Sequence, residues 1–163
     1  MVAAAVGVVH YVDHSTKSSA ANTMTVNAKP APPPPPTAAQ SYRTVTLQSD
    51  GGGHFRVEAR VDGRPVDFLV DTGASSIVLN EKSAAWLGIH PAARDYTVRT
   101  QTANGVGTAA RARLNQIEVN GITVRDIDAL VVPDEALSMN LLGMTFLSRV
   151  RWTHDRGRLV LEQ

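Results

Sequence analysis

From His54 to Val61 apolar and polar side chains alternate, Phe55, Val57, Ala59 and Val61 against His54, Arg56, Glu58 and Arg60. A period of two is that of a strand with one buried face. Asp62-Gly63 then supplies a turn and Pro65-Val66-Asp67-Phe68-Leu69-Val70 resumes the alternation, which predicts a β-hairpin. Further strands are predicted at Ser76–Leu79, Tyr96–Gln101, Val106–Leu114, Gln116–Val119 and Ile122–Val132, with Asn120-Gly121 turning the last two into a hairpin. Helical signals are confined to Glu81–Leu87, closed by Gly88, and Met144–Arg149 after Gly143. Many short strands and two short helices in roughly 120 residues predict a mostly β domain, a small barrel or sandwich. Trp86 and Trp152 lie among apolar neighbours and are expected in its core.

Composition separates this body from what precedes it. Six of the nine prolines fall between Pro30 and Pro36, and Asp13–Gln40 is otherwise Ser, Thr, Ala and Asn with almost no large apolar side chain. Such a segment buries too little surface to offset the entropy of ordering. Residues 1–40 therefore read as an Ala/Ser/Pro-rich leader and linker, with a stiff polyproline stretch near its end. Met1–Val9 is apolar but less than half the length of a membrane span. It reads either as the tail of a longer signal or anchor segment, which would tether the chain, or as a plain unstructured N-terminus. The leader holds Lys17, Lys29 and Asp13 of the 16 basic and 15 acidic residues, so the body, residues 41–163, carries 14 of each. That balance argues against a nucleic-acid partner, which needs a basic excess. The chain has no cysteine, which excludes disulfides and thiol chemistry.

The segment richest in chemistry is Phe68-Leu69-Val70-Asp71-Thr72-Gly73-Ala74-Ser75-Ser76. An apolar strand runs straight to a carboxylate, and small residues then turn the chain sharply. An acid at the mouth of an apolar strand is costly unless it lies at a turn, pairs or shares a proton. On its own Asp-Thr-Gly is also ordinary turn chemistry.

More than these residues agree. Phe68 to Ser76 resembles the hydrophobic-hydrophobic-Asp-Thr-Gly-Ala-Ser signature of aspartic proteases. About 70 residues on, Asn140-Leu141-Leu142-Gly143-Met144-Thr145-Phe146-Leu147 resembles their hydrophobic-hydrophobic-Gly motif with its helix. Between them, Thr102-Ala103-Asn104-Gly105-Val106-Gly107 lies where the family has its flap hairpin, and Gly53-His54-Phe55 with Gly63-Arg64-Pro65-Val66 resembles the hairpin before the catalytic turn. The body is thus similar, from about Tyr42 to Leu161, to the single-domain, retroviral-type (retropepsin-like) bacterial aspartic proteases. The resemblance implies a closed, mostly β lobe with a short C-terminal helix and a flap closing over the catalytic turn.

The chain has one Asp-Thr-Gly, so the resemblance implies a homodimer in which each copy contributes its Asp71. Two carboxyl groups at hydrogen-bonding distance share one proton, and the pair can activate water for peptide hydrolysis with neither a metal nor another cofactor. By the same resemblance Thr72 braces the two turns across the dimer axis and Gly73 bonds substrate backbone. Ala74, Ser75, Ser76 and the flap residues Ala103, Asn104, Gly105 and Val106 line the substrate, and Leu141, Leu142 and Gly143 support the site. Retroviral enzymes carry acids where this chain has Ser75 and Ser76. The implied activity is that of an aspartic endopeptidase on polypeptide substrates. The alternative is a peptide-binding or assembly module that keeps the fold without turnover. Resemblance and leader together point to the periplasmic side of a bacterial inner membrane, anchored or released, with the cytoplasm as the alternative.

Other features carry less. Asp50-Gly51-Gly52-Gly53 is followed by no Lys-Ser or Lys-Thr and reads as a loop rather than a phosphate cradle. The histidines lack metal-ligand spacing, so no metal site is expected. Arg149, Arg151, Arg156 and Arg158 read as solvated surface.

Overall fold

The computed structural model describes residues 42–102 and 105–163. The alternation that opens the pattern becomes β2 (Phe55–Val61), with Val57, Ala59 and Val61 buried between exposed arginines and Glu58. β1 (Thr44–Gln48) precedes it. β3 (Arg64–Val70) returns antiparallel, Phe55 opposite Val70 and Val61 opposite Arg64. Asp62 and Gly63 turn the pair with φ of 49° and 84°. Positive φ at both central residues matches the right-handed twist of the flanking strands, which is why Asp-Gly is favoured here.

β4 (Ile77–Asn80) follows the Asp-Thr-Gly segment and runs into α1 (Glu81–Trp86), whose start is capped by Asn80, its side chain accepting the Ser83 N–H at 2.8 Å. After a single 3-10 turn at Ala93–Asp95, β5 (Val98–Thr102) pairs with β6 (Gly105–Val119), and β6 with β7 (Ile122–Val132). β8 (Asn140–Leu142), α2 (Met144–Leu147), β9 (Arg151–Asp155) and β10 (Arg158–Glu162) complete the chain. The larger sheet has the order β2-β3-β8-β4-β7-β6-β5, and β6 also pairs with β2 through Arg60–Glu118 and Val61–Ile117. That second pairing closes six strands into a barrel, from which the β5–β6 hairpin projects. A separate three-stranded sheet, β1-β10-β9, joins the two ends of the body.

The barrel interior is filled by Phe68, Ile77, Leu79, Leu114, Ile117, Ile127 and Leu142, with Phe146 and Leu147 of α2 packed on it, all essentially without exposure. Each such side chain contributes about 1.5–3 kcal/mol relative to exposure. Among the described residues no helix is long and apolar enough to cross a membrane.

Three expectations change. Trp86 is 58% exposed rather than in the core. Ala84 is the buried residue of α1, and Trp86, two positions on at about 100° per residue, points away from it. Trp152 is half-buried and packs against the core as expected. The predicted break between Leu114 and Gln116 is absent and β6 runs through, because Asp62 takes up the polar groups there: its carboxylate accepts the Gln116 N–H at 2.9 Å and the Asn115 amide at 3.3 Å. Register survives, with Leu114 opposite Ile127 and Gln116 opposite Arg125. The third change concerns β1, β8, β9 and β10, which the sequence pattern does not single out.

Candidate active site

β3 delivers Asp71 to the end of a barrel strand, and β8 receives it. The two strands are parallel, Phe68 beside Asn140, Leu69 beside Leu141 and Val70 beside Leu142, and the Asp71 N–H continues the ladder to the Leu142 carbonyl at 3.2 Å. The chain then turns: the Ala74 N–H donates to the Asp71 carbonyl at 3.3 Å, and the Asp71 carboxylate accepts the Gly73 N–H at 2.8 Å. Asp71 is half-buried, with Thr72, Gly73 and Ser75 exposed and Ala74 and Ser76 half-buried. The turn thus holds one carboxylate oxygen and leaves the group on an open face.

The second motif locks this turn from below. The Met144 N–H donates to the Ala74 carbonyl at 2.8 Å, and the Ile77 N–H to Thr145 Oγ1 at 2.9 Å. Gly143 is buried against Ala74 and Ser76 so closely that no side chain fits between them. The structure therefore brings Asp71, Thr72, Gly73, Ala74, Ser75 and Ser76 together with Leu141, Leu142 and Gly143, over about 70 intervening residues.

Asn140 holds the arrangement together and is missing from the site residues picked out in the sequence. It is 5% exposed, and its carboxamide accepts the Asn80 N–H at 3.0 Å while donating to the Asp67 carbonyl and Ser83 Oγ, each at 3.0 Å. One side chain thus ties β3, β4 and α1 to β8. A buried amide completing its hydrogen bonds across three elements fixes their positions as apolar packing cannot. Only its polarity in the apolar run before Gly143 hints at this in sequence.

Register also reveals a surface. Leu69 lies beside Leu141, Leu141 beside Val78, Val78 beside Leu130 and Leu130 beside Arg111. All four apolar members are half-buried. Leu69 precedes Asp71 by two, so the row lies on the face that carries the carboxylate. Leu69, Val78 and Leu130 escape sequence reading because they belong to separate strands.

The flap sequence forms the β5–β6 hairpin, Thr102 opposite Gly105, Gln101 opposite Val106, Thr100 opposite Gly107. Ala103 and Asn104, expected at its tip, lie outside the described residues. Gly105 and Gly107 alternate in phase with Ala109 and Arg111, the face of the apolar row, whereas Val106, 66% exposed, shares a face with Arg99 and Thr108. At the base of the hairpin Tyr96 Oη donates to Glu81 Oε1 at 2.5 Å, and burial together with that carboxylate pushes the Tyr96 phenol up to about 12. Ahead of β2, Asp50 accepts the His54 and Gly52 N–H groups and Arg56 Nε. These bonds, His54's first, hold its carboxyl below the ordinary range.

A family model described as gag-polyprotein putative aspartyl protease matches residues 57–149, from the hairpin before Asp71 to the end of α2. The chain belongs to this family. A retropepsin-like aspartic protease from Rickettsia conorii of known crystal structure is 33% identical and superposes with a TM-score of 0.67 over 74% of this chain and 91% of its own. An uncharacterized protein from the cobV 5′ region of a Sinorhizobium species is 42% identical over 127 residues, and one from Rickettsia prowazekii is 35% identical over 118. These alignments cover 78% and 72% of this chain but 54% and 50% of those proteins, so the chain spans about half the length of the curated relatives it matches. The barrel, flap hairpin and Asp-Thr-Gly turn braced by Gly143 are thus a retropepsin-like aspartic protease fold.

Proposed function

We propose that the protein is an aspartic endopeptidase whose active site forms between two copies of the chain. The observation that supports it is the single half-buried Asp71 on an open face, held by a turn that a second motif locks. Cavities of about 590 and 340 Å³ lie in this molecule, and neither is lined by Asp71. Half of a dyad on an open face takes its other wall from a second copy.

In this reading the two Asp71 carboxyl groups share one proton across a two-fold axis. The ionised member takes a proton from a water held between them while the protonated member donates to the scissile carbonyl oxygen. Water addition thus gives a gem-diol with the protonation exchanged between the two carboxyl groups. A proton from the pair then goes to the amide nitrogen as the C–N bond breaks, the diol returns a proton to the pair, and no covalent enzyme intermediate forms. The Asp71–Gly73 bond keeps one oxygen oriented. The row Leu69, Leu141, Val78 and Leu130 offers an apolar wall for substrate side chains, so we infer a preference for bulky apolar residues near the cleaved bond. On β6, Gly105 and Gly107 put no side chain on the flap face in phase with the apolar row, where Thr100 stands opposite Gly107, which lets an extended peptide backbone approach that strand.

Incubating the full chain with a pool of denatured proteins, with and without a statine-type inhibitor, tests the reading. Inhibitor-sensitive new peptide termini that disappear in an Asp71→Asn chain are expected. Termini that persist in that variant would exclude the aspartic mechanism, and binding without cleavage would favour the peptide-binding module.

A further inference from the structure

Beside the apolar row lies a groove. Two residues before Leu69 and Leu141, on the same face, stand Asp67 and Met139, and these two line both cavities. The larger continues past Pro65 to Trp86, and the smaller is bordered by Glu58, directly opposite Asp67 across the β2–β3 ladder. Trp86 is the large exposed aromatic of α1, and Arg64 fixes it, its guanidinium 5.6 Å from the ring centroid and hydrogen-bonded to the Trp86 carbonyl. One face of the indole is thereby covered, and the rest stays at the rim of the larger cavity. Like charges facing each other across a ladder destabilise it, yet neither Glu58 nor Asp67 has an ion-pair partner among the described residues. Of the lining cations, Arg56 is engaged by Asp50 at 3.3 Å, and Lys82 stands at the α1 end.

We infer that this groove is a second recognition site, which holds a stretch of polypeptide substrate outside the scissile region through a basic side chain between Glu58 and Asp67 and an aromatic side chain against Pro65 and Trp86. The inference rests on the endopeptidase reading for the identity of the ligand. Charge selects the basic residue, and continuity with the row beside Asp71 selects a segment of the same polypeptide. The spacing follows from the strand: Asp67 and Pro65 are two residues apart on one face of β3, about 7 Å, the separation of side chains i and i+2 in an extended peptide.

The test uses the full chain carrying Asp71→Asn, so that binding is read without cleavage. Calorimetric titration with Ac-Ser-Arg-Thr-Phe-Ser-NH2 should saturate, and replacing its Arg by Glu should weaken binding by about tenfold or more. Adding Asp67→Asn or Trp86→Ala to the protein should each cost a similar factor. No saturable heat, or binding indifferent to all three changes, overturns the inference. So does a Trp86→Ala chain whose sedimentation shows a changed oligomeric state, since the groove would then be a contact between copies. With the unmodified active site, Trp86→Ala should raise KM for a substrate extended by Arg-Thr-Phe relative to the same substrate without the extension, and an unchanged ratio overturns the inference. Failure of the endopeptidase reading is seen separately, as no cleavage of either substrate, while the calorimetry still decides the groove.

Discussion

A methyl carbon on Gly143 would stand 2.2 Å from the carbonyl oxygen of Ser76 and 2.7 Å from that of Ala74. Both obstacles are backbone, so they cannot swing aside as a side chain would. Gly143→Ala must push β8 and α2 away from the Asp-Thr-Gly turn and stretch the Met144–Ala74 hydrogen bond. A loss of about 1–3 kcal/mol or more is expected from overpacking of this kind. Urea unfolding should show the lowered midpoint, with cleavage reduced further than the folded fraction explains.

Asn140→Ala should cost more than its size suggests. It strands the Asn80 N–H, the Ser83 hydroxyl and the Asp67 carbonyl in a part-buried setting, at about 1–3 kcal/mol for each group that water cannot reach. Ser83→Ala removes one of these bonds and should cost about 1 kcal/mol. Equal losses for the two variants by chemical denaturation would show that Asn140 does not join the three elements.

Asp71→Asn should leave a folded protein. The side chains are nearly isosteric, and the amide oxygen can still accept the Gly73 N–H. Cleavage should fall by at least the 10² to 10⁴ that follows loss of one general acid or base, about 3–5 kcal/mol of barrier. Circular dichroism and thermal unfolding close to the parent, with the activity gone, are the expected pair of results.

If one chain supplies half a site, specific activity should fall on dilution below the dimer dissociation constant. The rate should also follow a bell-shaped pH curve whose two limbs belong to the pair rather than to either Asp71. Activity measured beside sedimentation velocity checks both parts. A monomer with full specific activity would require a second acid within the chain.

Burial and the Glu81 carboxylate push the Tyr96 phenol up from its ordinary 10.0 to about 12. A group whose folded pKa is raised contributes stability that is complete below the unfolded value and is lost as pH climbs through the folded one. The α1–flap-base contact should therefore weaken between about pH 10 and 12. Tyr96→Phe should cost about 1 kcal/mol at neutral pH for the lost bond to Glu81 and should flatten the decline between pH 10 and 12, as read by thermal unfolding across that range.

Much of this architecture is legible without coordinates. The β2–β3 and β6–β7 hairpins follow from alternation of two and from Asp-Gly and Asn-Gly turns, because both signals are local and each residue carries its own share. The terminal strands are harder. Val45 with Leu47 and Leu159 with Leu161 offer two buried positions each, too few to set a period. β8 is three residues long and owes its strand geometry to the neighbours on both sides. Trp86 misleads because apolar composition says nothing about which side of a six-residue helix is covered.

The site divides along the same line. The carboxylate, the glycine that follows it and the Leu-Leu-Gly that answers it are chemical identities written in order along the chain, so Asp71 and Gly143 could be named from the letters alone. That they meet, with the Met144 N–H on the Ala74 carbonyl and Asn140 spanning three elements, depends on parallel pairing of strands about 70 residues apart. The apolar row beside Asp71 and the groove ending at Trp86 are likewise products of register. Neither exists in any one segment, since each draws its members from several strands, and only closure of the barrel sets those strands side by side.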